Sequence, residues 1–426
     1  MQTPSYAVRS AFAQAISSQF WLFCADLYPA LVAASVPWST TAVSVFWVLW
    51  FAVLIPIIDC RAFLHSLRKP ASWLPLAFFA LALIGMVWAQ DPWPDRLLGL
   101  KPVLKFLVLP FLLYHFERSG RATWVLWAFG LSCALLEFAS WIVVLEPGWR
   151  MTHANVSVPG VPVKNYIDQS YELVLGIFIT APIALRLLKE ARLLAFASLA
   201  VLFLAILVTI AFVATSRTAL IYIPVLAAVF LIRYFNPKTT TLLFVAAAIG
   251  ASAVWYASPY LRERVEEAKV GYLNFKGNNP NTSTGMRLTW WRESLDFVAS
   301  APILGHGTGS IKGLMNVDGV ERTGLARGEI RNPHNQTLYV AVQWGLIGCL
   351  LLYAMWFCHL KLFFNPGLAS WIGLVVVVQN ILSSIFNSHL FDFTEGSIYV
   401  LGVGVAGGAA LRSKLNERRR SHEGSQ

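Results

Sequence analysis

The chain has 426 residues, 57% of them hydrophobic and 13% charged, with 17 tryptophans, whereas a soluble domain carries about 25% charged residues. Apolar runs of about 20 residues recur from end to end, which excludes a soluble globular protein and predicts an all-α polytopic membrane protein; the ten-residue alternation of a membrane β-barrel does not stand out. Much of the net charge of +11 flanks apolar runs, as membrane orientation requires, and gives no reason to expect nucleic acid as a partner.

In chain order, hydropathy predicts about 12 transmembrane helices, near 13–36, 38–59, 71–90, 97–116, 121–145, 169–188, 192–213, 217–235, 239–257, 335–358, 367–386 and 395–412. The polar start from Met1 to Ser10 leads into the first without a cleavable signal. Cys24, Cys60, Cys133, Cys349 and Cys358 sit in or beside apolar runs with no paired spacing, so neither a disulfide framework nor a zinc site is expected. When Lys and Arg are sorted by alternate connections, with the long loop left out, 17 fall on one side and 6 on the other. The richer side is the cytoplasmic one, and it holds both termini. The expected organisation is 1–257 with helices 1–9, one long periplasmic loop 258–334, 335–412 with helices 10–12, and a basic cytoplasmic tail 413–426.

The long loop is polar without being of low complexity. Leu261 to Tyr272 and Gly285 to Ala299 read as short amphipathic helices, the second with Leu288, Trp291, Leu295 and Val298 on one stripe. Asn274 to Thr284 reads as turn or mobile segment, and Pro302 with the glycines of Gly305-His306-Gly307-Thr308-Gly309 ends the second helix. That glycine run lacks the Lys-Ser/Thr of a phosphate-binding loop; it reads as a tight turn near the active centre, with His306 structural.

Charged residues beside apolar segments are costly unless they have a task. Arg217 follows Ser216, a plausible helix cap, at the predicted outer surface, where its rigid fork suits phosphate oxygens as well as it suits anchoring. Arg287 and Arg292 lie five apart on the second loop helix and point to different sides; Arg287 is the candidate second clamp. Asn332 and Pro333 read as cap and first residue of the tenth span, which places His334 and Asn335 in the first helical turn, where the macrodipole keeps the imidazole neutral. Asn387, His389, Asp392 and Glu395 form a polar corner, from which Asp392 is expected to orient His334 or pair with an arginine. Lys101 and Lys105 are expected to share a helix face, and Lys105 is the deeper. With no acidic pair before the loop and no His/Cys set on the outer face, no metal and no other cofactor is expected, and arginines are left to neutralise charge.

The order of these pieces resembles the O-antigen ligase/polymerase family. The matching residues are Ser216-Arg217 opening a helix, Arg287 with Trp291, Pro302 with the Gly305–Gly309 run, and His334-Asn335 followed by Gly345 and Gly348, over roughly 200–350. The resemblance implies a GT-C-like membrane glycosyltransferase whose members ligate O-antigen to lipid A–core, polymerise O-antigen units, or transfer glycan to protein. Its His-Asn to glycine spacing and single dominant loop look like the ligase; Ile221, where ligases often show Leu, is a mild departure. The implied partners are an undecaprenyl-diphosphate-linked glycan donor, a lipid A–core acceptor and membrane lipid, with no nucleotide sugar, in the bacterial inner membrane with the site on the periplasmic side. Arg217, Arg287 and Lys105 would bind the donor, His334 would be the base, and Asn335 and Asp392 would orient it or the acceptor. A transporter or flippase of lipid-linked glycan is the non-enzyme alternative, although its charges would cluster nearer the bilayer midplane.

Overall fold

A computed structural model describes residues 19–151, 158–277, 279, 281–316 and 330–423. The described residues form helices and connecting segments with no strand. In chain order the helices are α1 (Gln19–Ser35), α2 (Thr40–Leu54), α3 (Cys60–Ser66), α4 (Pro70–Gly85), α5 (Trp93–Leu100), α6 (Val108–Phe116), α7 (Ala122–Leu145), α8 (Tyr166–Lys189), α9 (Leu193–Val208), α10 (Ala219–Tyr234), α11 (Pro237–Ala257), α12 (Pro259–Lys276), α13 (Ser283–Ser300), α14 (Ser310–Asn316), α15 (Gln336–Leu362), α16 (Leu368–Ser383) and α17 (Phe393–Glu423). Each expected span carries a helix. Among the described residues, eight runs are long and apolar enough to cross a membrane, and the pair α3 and α4, bent by 88°, makes a ninth if it is one span; α10 and α16 are shorter apolar helices.

Local signals set the ends. Asn165 caps α8 through Ile167 and Asp168, with Asp168 in its first turn and Arg186 and Lys189 in its last, matching the macrodipole at both ends. Asn236-Pro237 and Ser258-Pro259 repeat the cap-then-proline pattern at α11 and α12. Packing sorts the helices by depth. The Phe393–Arg418 window of α17 is 78% buried and the window of α11 only 6%, so α17 is the axis and α11 the periphery. Gly404 and Gly408 of α17 lie against Leu112 and Phe116 of α6, the close approach that small residues permit between apolar helices.

Two expectations change here. The segment joining α5 to α6, Lys101–Leu107, is a 3-10 helix, in which four residues advance about 120° beyond a full turn. Lys101 and Lys105 therefore diverge: Lys101 is exposed and Lys105 is directed inward. Second, α15 begins at Gln336 with Asn335 as its cap, accepting from Leu338 N at 3.0 Å. Asn332 and Pro333 lie outside the helix because Ser388 Oγ donates to Asn332 Oδ1 at 2.7 Å and Trp291 Nε1 to the Pro333 carbonyl at 3.0 Å.

The glycine run locks a broken helix. Gly345 interrupts α15 at φ 56°, ψ −150°, and the chain at 302–309 fills the break. Leu346 N donates to Pro302 O at 2.8 Å, while His306 N and Gly307 N donate to Val342 O and Gln343 O at 2.9 and 2.8 Å. Thr308 N donates to Gly85 O at 3.0 Å and Gly309 N to Gln343 Oε1 at 2.7 Å. These amides are committed to the fold and hold no phosphate. His306 Nε2 lies 2.9 Å from the Phe297 carbonyl, the structural role expected of it. A Cβ at Gly345 would sit 2.4 Å from the Ile303 carbonyl. Gly345→Ala is thus expected to cost about 1–3 kcal/mol in backbone strain alone, with overpacking added. Thermal unfolding in detergent checks this against Gly250→Ala, whose new Cβ meets nothing within 4 Å and should be near neutral.

Candidate functional site

The site is built where four segments meet at one end of the helices: the Ala214–Thr218 junction, α13, the start of α15 and the 384–392 connection. The helix α9 ends in a π turn, Thr209–Val213. Beyond it Tyr260 Oη accepts from Thr215 N at 2.9 Å, Ser170 Oγ accepts from Ser216 N at 3.0 Å, and Ser216 Oγ accepts from Ala219 N at 3.2 Å, the expected capping contact. Held this way, Arg217 donates through Nη1 to Thr284 Oγ1 at 2.8 Å and through Nη2 to Ser283 Oγ, so it grips the start of α13.

One turn along α13, Arg287 Nη1 donates to the Phe386 carbonyl at 3.2 Å. Burial opposes the charge of both guanidinium groups, and each also lowers its neighbours' affinity for protons: Arg217 acts on Arg287, and Arg264 of α12 acts on Arg217. Arg264 was not singled out from the sequence because its helix reads as a solvated amphipathic face. In the fold it pairs with Glu267 at 2.8 Å and lies 5.3 Å from the ring centre of Tyr166. Arg292 is exposed.

His334 sits outside the helix, at φ 53°, in the left-handed region that histidine tolerates better than most residues. Its Nδ1 lies 2.6 Å from Asn387 Oδ1, and its ring stacks on Trp290 with centroids 5.4 Å apart and planes at 25°. The amide oxygen orients the neutral ring with its proton on Nδ1 and leaves the Nε2 lone pair as acceptor. Burial holds its pKa below the ordinary 6.5, the Arg287 charge adds to this, and Asn387 opposes it. The imidazole is thus kept neutral, as expected, but by burial and an arginine and not by a helix terminus.

The polar corner is brought to the same place with altered roles. Among the described residues, Asn387 and not Asp392 is the hydrogen-bond partner that orients His334. The Asp392 carboxyl is pushed up by burial, with Lys105 and Arg287 opposing. Lys105 Nζ donates to the carbonyls of Phe391 and Asp392 at 3.1 and 2.5 Å, fixing the chain under the site. Asn335 spends its oxygen on the helix cap and its amide group on the Ile385 carbonyl at 2.9 Å. His389 is buried 3.7 Å from Glu395, and burial, with the Arg287 charge adding to it, lowers its pKa to about 3. Trp290, Tyr166 and Asn387 as the histidine's partner carry no spacing signal, because each contact joins segments far apart in sequence.

Residues 202–353 match the family model described as O-antigen ligase. An uncharacterized protein of Haemophilus influenzae is 28% identical over 144 residues, covering 32% of this chain and 36% of that protein; the match spans about a third of the relative's length. The matched segment carries Arg217, Arg264, Arg287 and His334 together.

Proposed function

We propose that this protein is a membrane glycosyltransferase of the O-antigen ligase type that moves O-antigen glycan from undecaprenyl diphosphate to a hydroxyl of lipid A–core. The observation that carries the reading is a neutral imidazole, held by Asn387 and Trp290, close to Arg287, which in turn lies within electrostatic reach of Arg217. The base has to accept a proton near neutral pH, and the leaving diphosphate has to be met by positive charge. The Lys and Arg distribution supports a twelve-span topology with both termini cytoplasmic and the site at the periplasmic surface of the bacterial inner membrane. The donor's diphosphate lies at Arg217 and Arg287, and the acceptor hydroxyl lies at His334 Nε2. As that oxygen attacks the anomeric carbon its proton passes to Nε2, and the bond to the diphosphate oxygen breaks. Attack opposite the leaving group inverts the anomeric carbon, and no covalent intermediate forms. Asn335 and Asp392 shape the acceptor side, Lys105 steadies the 390–392 chain, and α12 and α13 cover the two lipid-borne substrates.

Reconstitution with purified lipid-linked glycan and lipid A–core tests this. A mobility shift of the acceptor is expected. Lengthening of the donor would make the chain a polymerase, glycan on a protein acceptor a protein glycosyltransferase, and movement without covalent change a flippase. Guanidinium groups supply the charge in this mechanism, so EDTA is expected to leave the rate within about twofold; strong inhibition relieved by a divalent cation would overturn the metal-free step.

A further inference from the structure

Tyr166 is the first residue of α8, directly after its capping Asn165. Its ring packs beside Val161, Val213 and Ala214, so it is braced on the stretch that leads into Arg217. Arg264 of α12 lies over that ring at 5.3 Å from its centre, and it keeps a buried Nε with no hydrogen-bond partner. Arg217 and Arg287, from two further segments, are both within electrostatic reach of the same side chain. One guanidinium group thus lies over the phenol and two more, from other elements, lie within electrostatic range of it. Glu267, paired with Arg264 at 2.8 Å, offsets one of the three charges and the neutral phenol offsets none, so a net positive charge is left that suits an anion. The hydroxyl can accept from a guanidinium and still donate its own proton, and it sits on a ring with few rotamers to lose.

We propose that the Tyr166 hydroxyl donates a hydrogen bond to the diphosphate of the lipid-linked donor, beside Arg264 and within electrostatic range of Arg217 and Arg287. This rests on the glycosyltransferase reading and makes Tyr166 a donor-binding residue for it. Tyr166→Phe removes the hydroxyl and keeps the ring that packs on Val161, Val213 and Ala214. The test measures binding of geranylgeranyl diphosphate, geranylgeranyl monophosphate and inorganic pyrophosphate to the purified full chain. Wild type is expected to bind the prenyl diphosphate most tightly. Tyr166→Phe should weaken it about tenfold at unchanged melting temperature, and Tyr166→His, which keeps a ring N–H, should recover part of the loss. In turnover, the KM for donor should rise by a similar factor while the KM for acceptor stays within twofold. Affinity of Tyr166→Phe within twofold of wild type would overturn the assignment and leave the proposed function standing. Failure of wild type to bind any prenyl diphosphate would remove the reading on which it rests.

Discussion

His334→Ala is expected to lower glycan transfer by about 10²–10⁴-fold, the usual contribution of a positioned base, with the protein still inserted and folded. The imidazole is a neutral proton acceptor close to Arg287, and Asn387 engages only its Nδ1, at 2.6 Å, whereas the neutral His389 is fully buried. His334 adopts φ 53°, where alanine is strained by about 1–2 kcal/mol. His334→Asn is therefore the cleaner partner variant: asparagine tolerates this backbone and offers no base. Both should be inactive, with melting temperatures that separate chemistry from folding. Near-normal transfer in either would remove His334 from the mechanism. The pH profile follows from the same geometry. The neutral ring is the working form, so the rate falls as pH drops through the His334 pKa. Burial and Arg287 hold that pKa below 6.5, so the acid limb should lie below the range of a free histidine.

Much of this architecture was readable from hydropathy, because a span must satisfy its backbone internally and be apolar for about 20 residues. The arginines were readable as candidates for a related reason: charge beside apolar runs needs a purpose, and the charge of Arg217 is felt at Arg287. What failed was local ambiguity settled by distant contacts. Asn332 and Asn335 are equally good caps, and the choice falls to Ser388 and Trp291, which hold the 332–333 segment away from helix. Lys101 and Lys105 share a face only in an α-helix, and the chain there winds as 3-10. Asn387, Trp290 and Tyr166 reach the site from other segments, and an Asn-His pairing 53 positions apart leaves no mark on spacing or composition.

Arg287→Ala should produce the second large loss, about 10²–10³-fold in kcat/KM for the donor, the scale set by removing one preorganised donor from a developing negative charge. Arg287→Lys should recover only part of it, because a point charge replaces a planar fork. A second signature separates this variant from one that merely loosens α13. Arg287 lowers the His334 pKa and opposes the rise in that of Asp392. Without it the acid limb of the rate profile should move upward toward 6.5, while burial still keeps His334 below that value. Arg217→Ala, which loses its grip on Ser283 and Thr284, has no such route to the imidazole: Arg217 is not among the charges acting on His334. It should weaken donor use and leave the limb in place. Identical pH profiles for the two variants would mean that Arg287 does not act beside His334 in the working enzyme, and the single-pocket mechanism would fail with it.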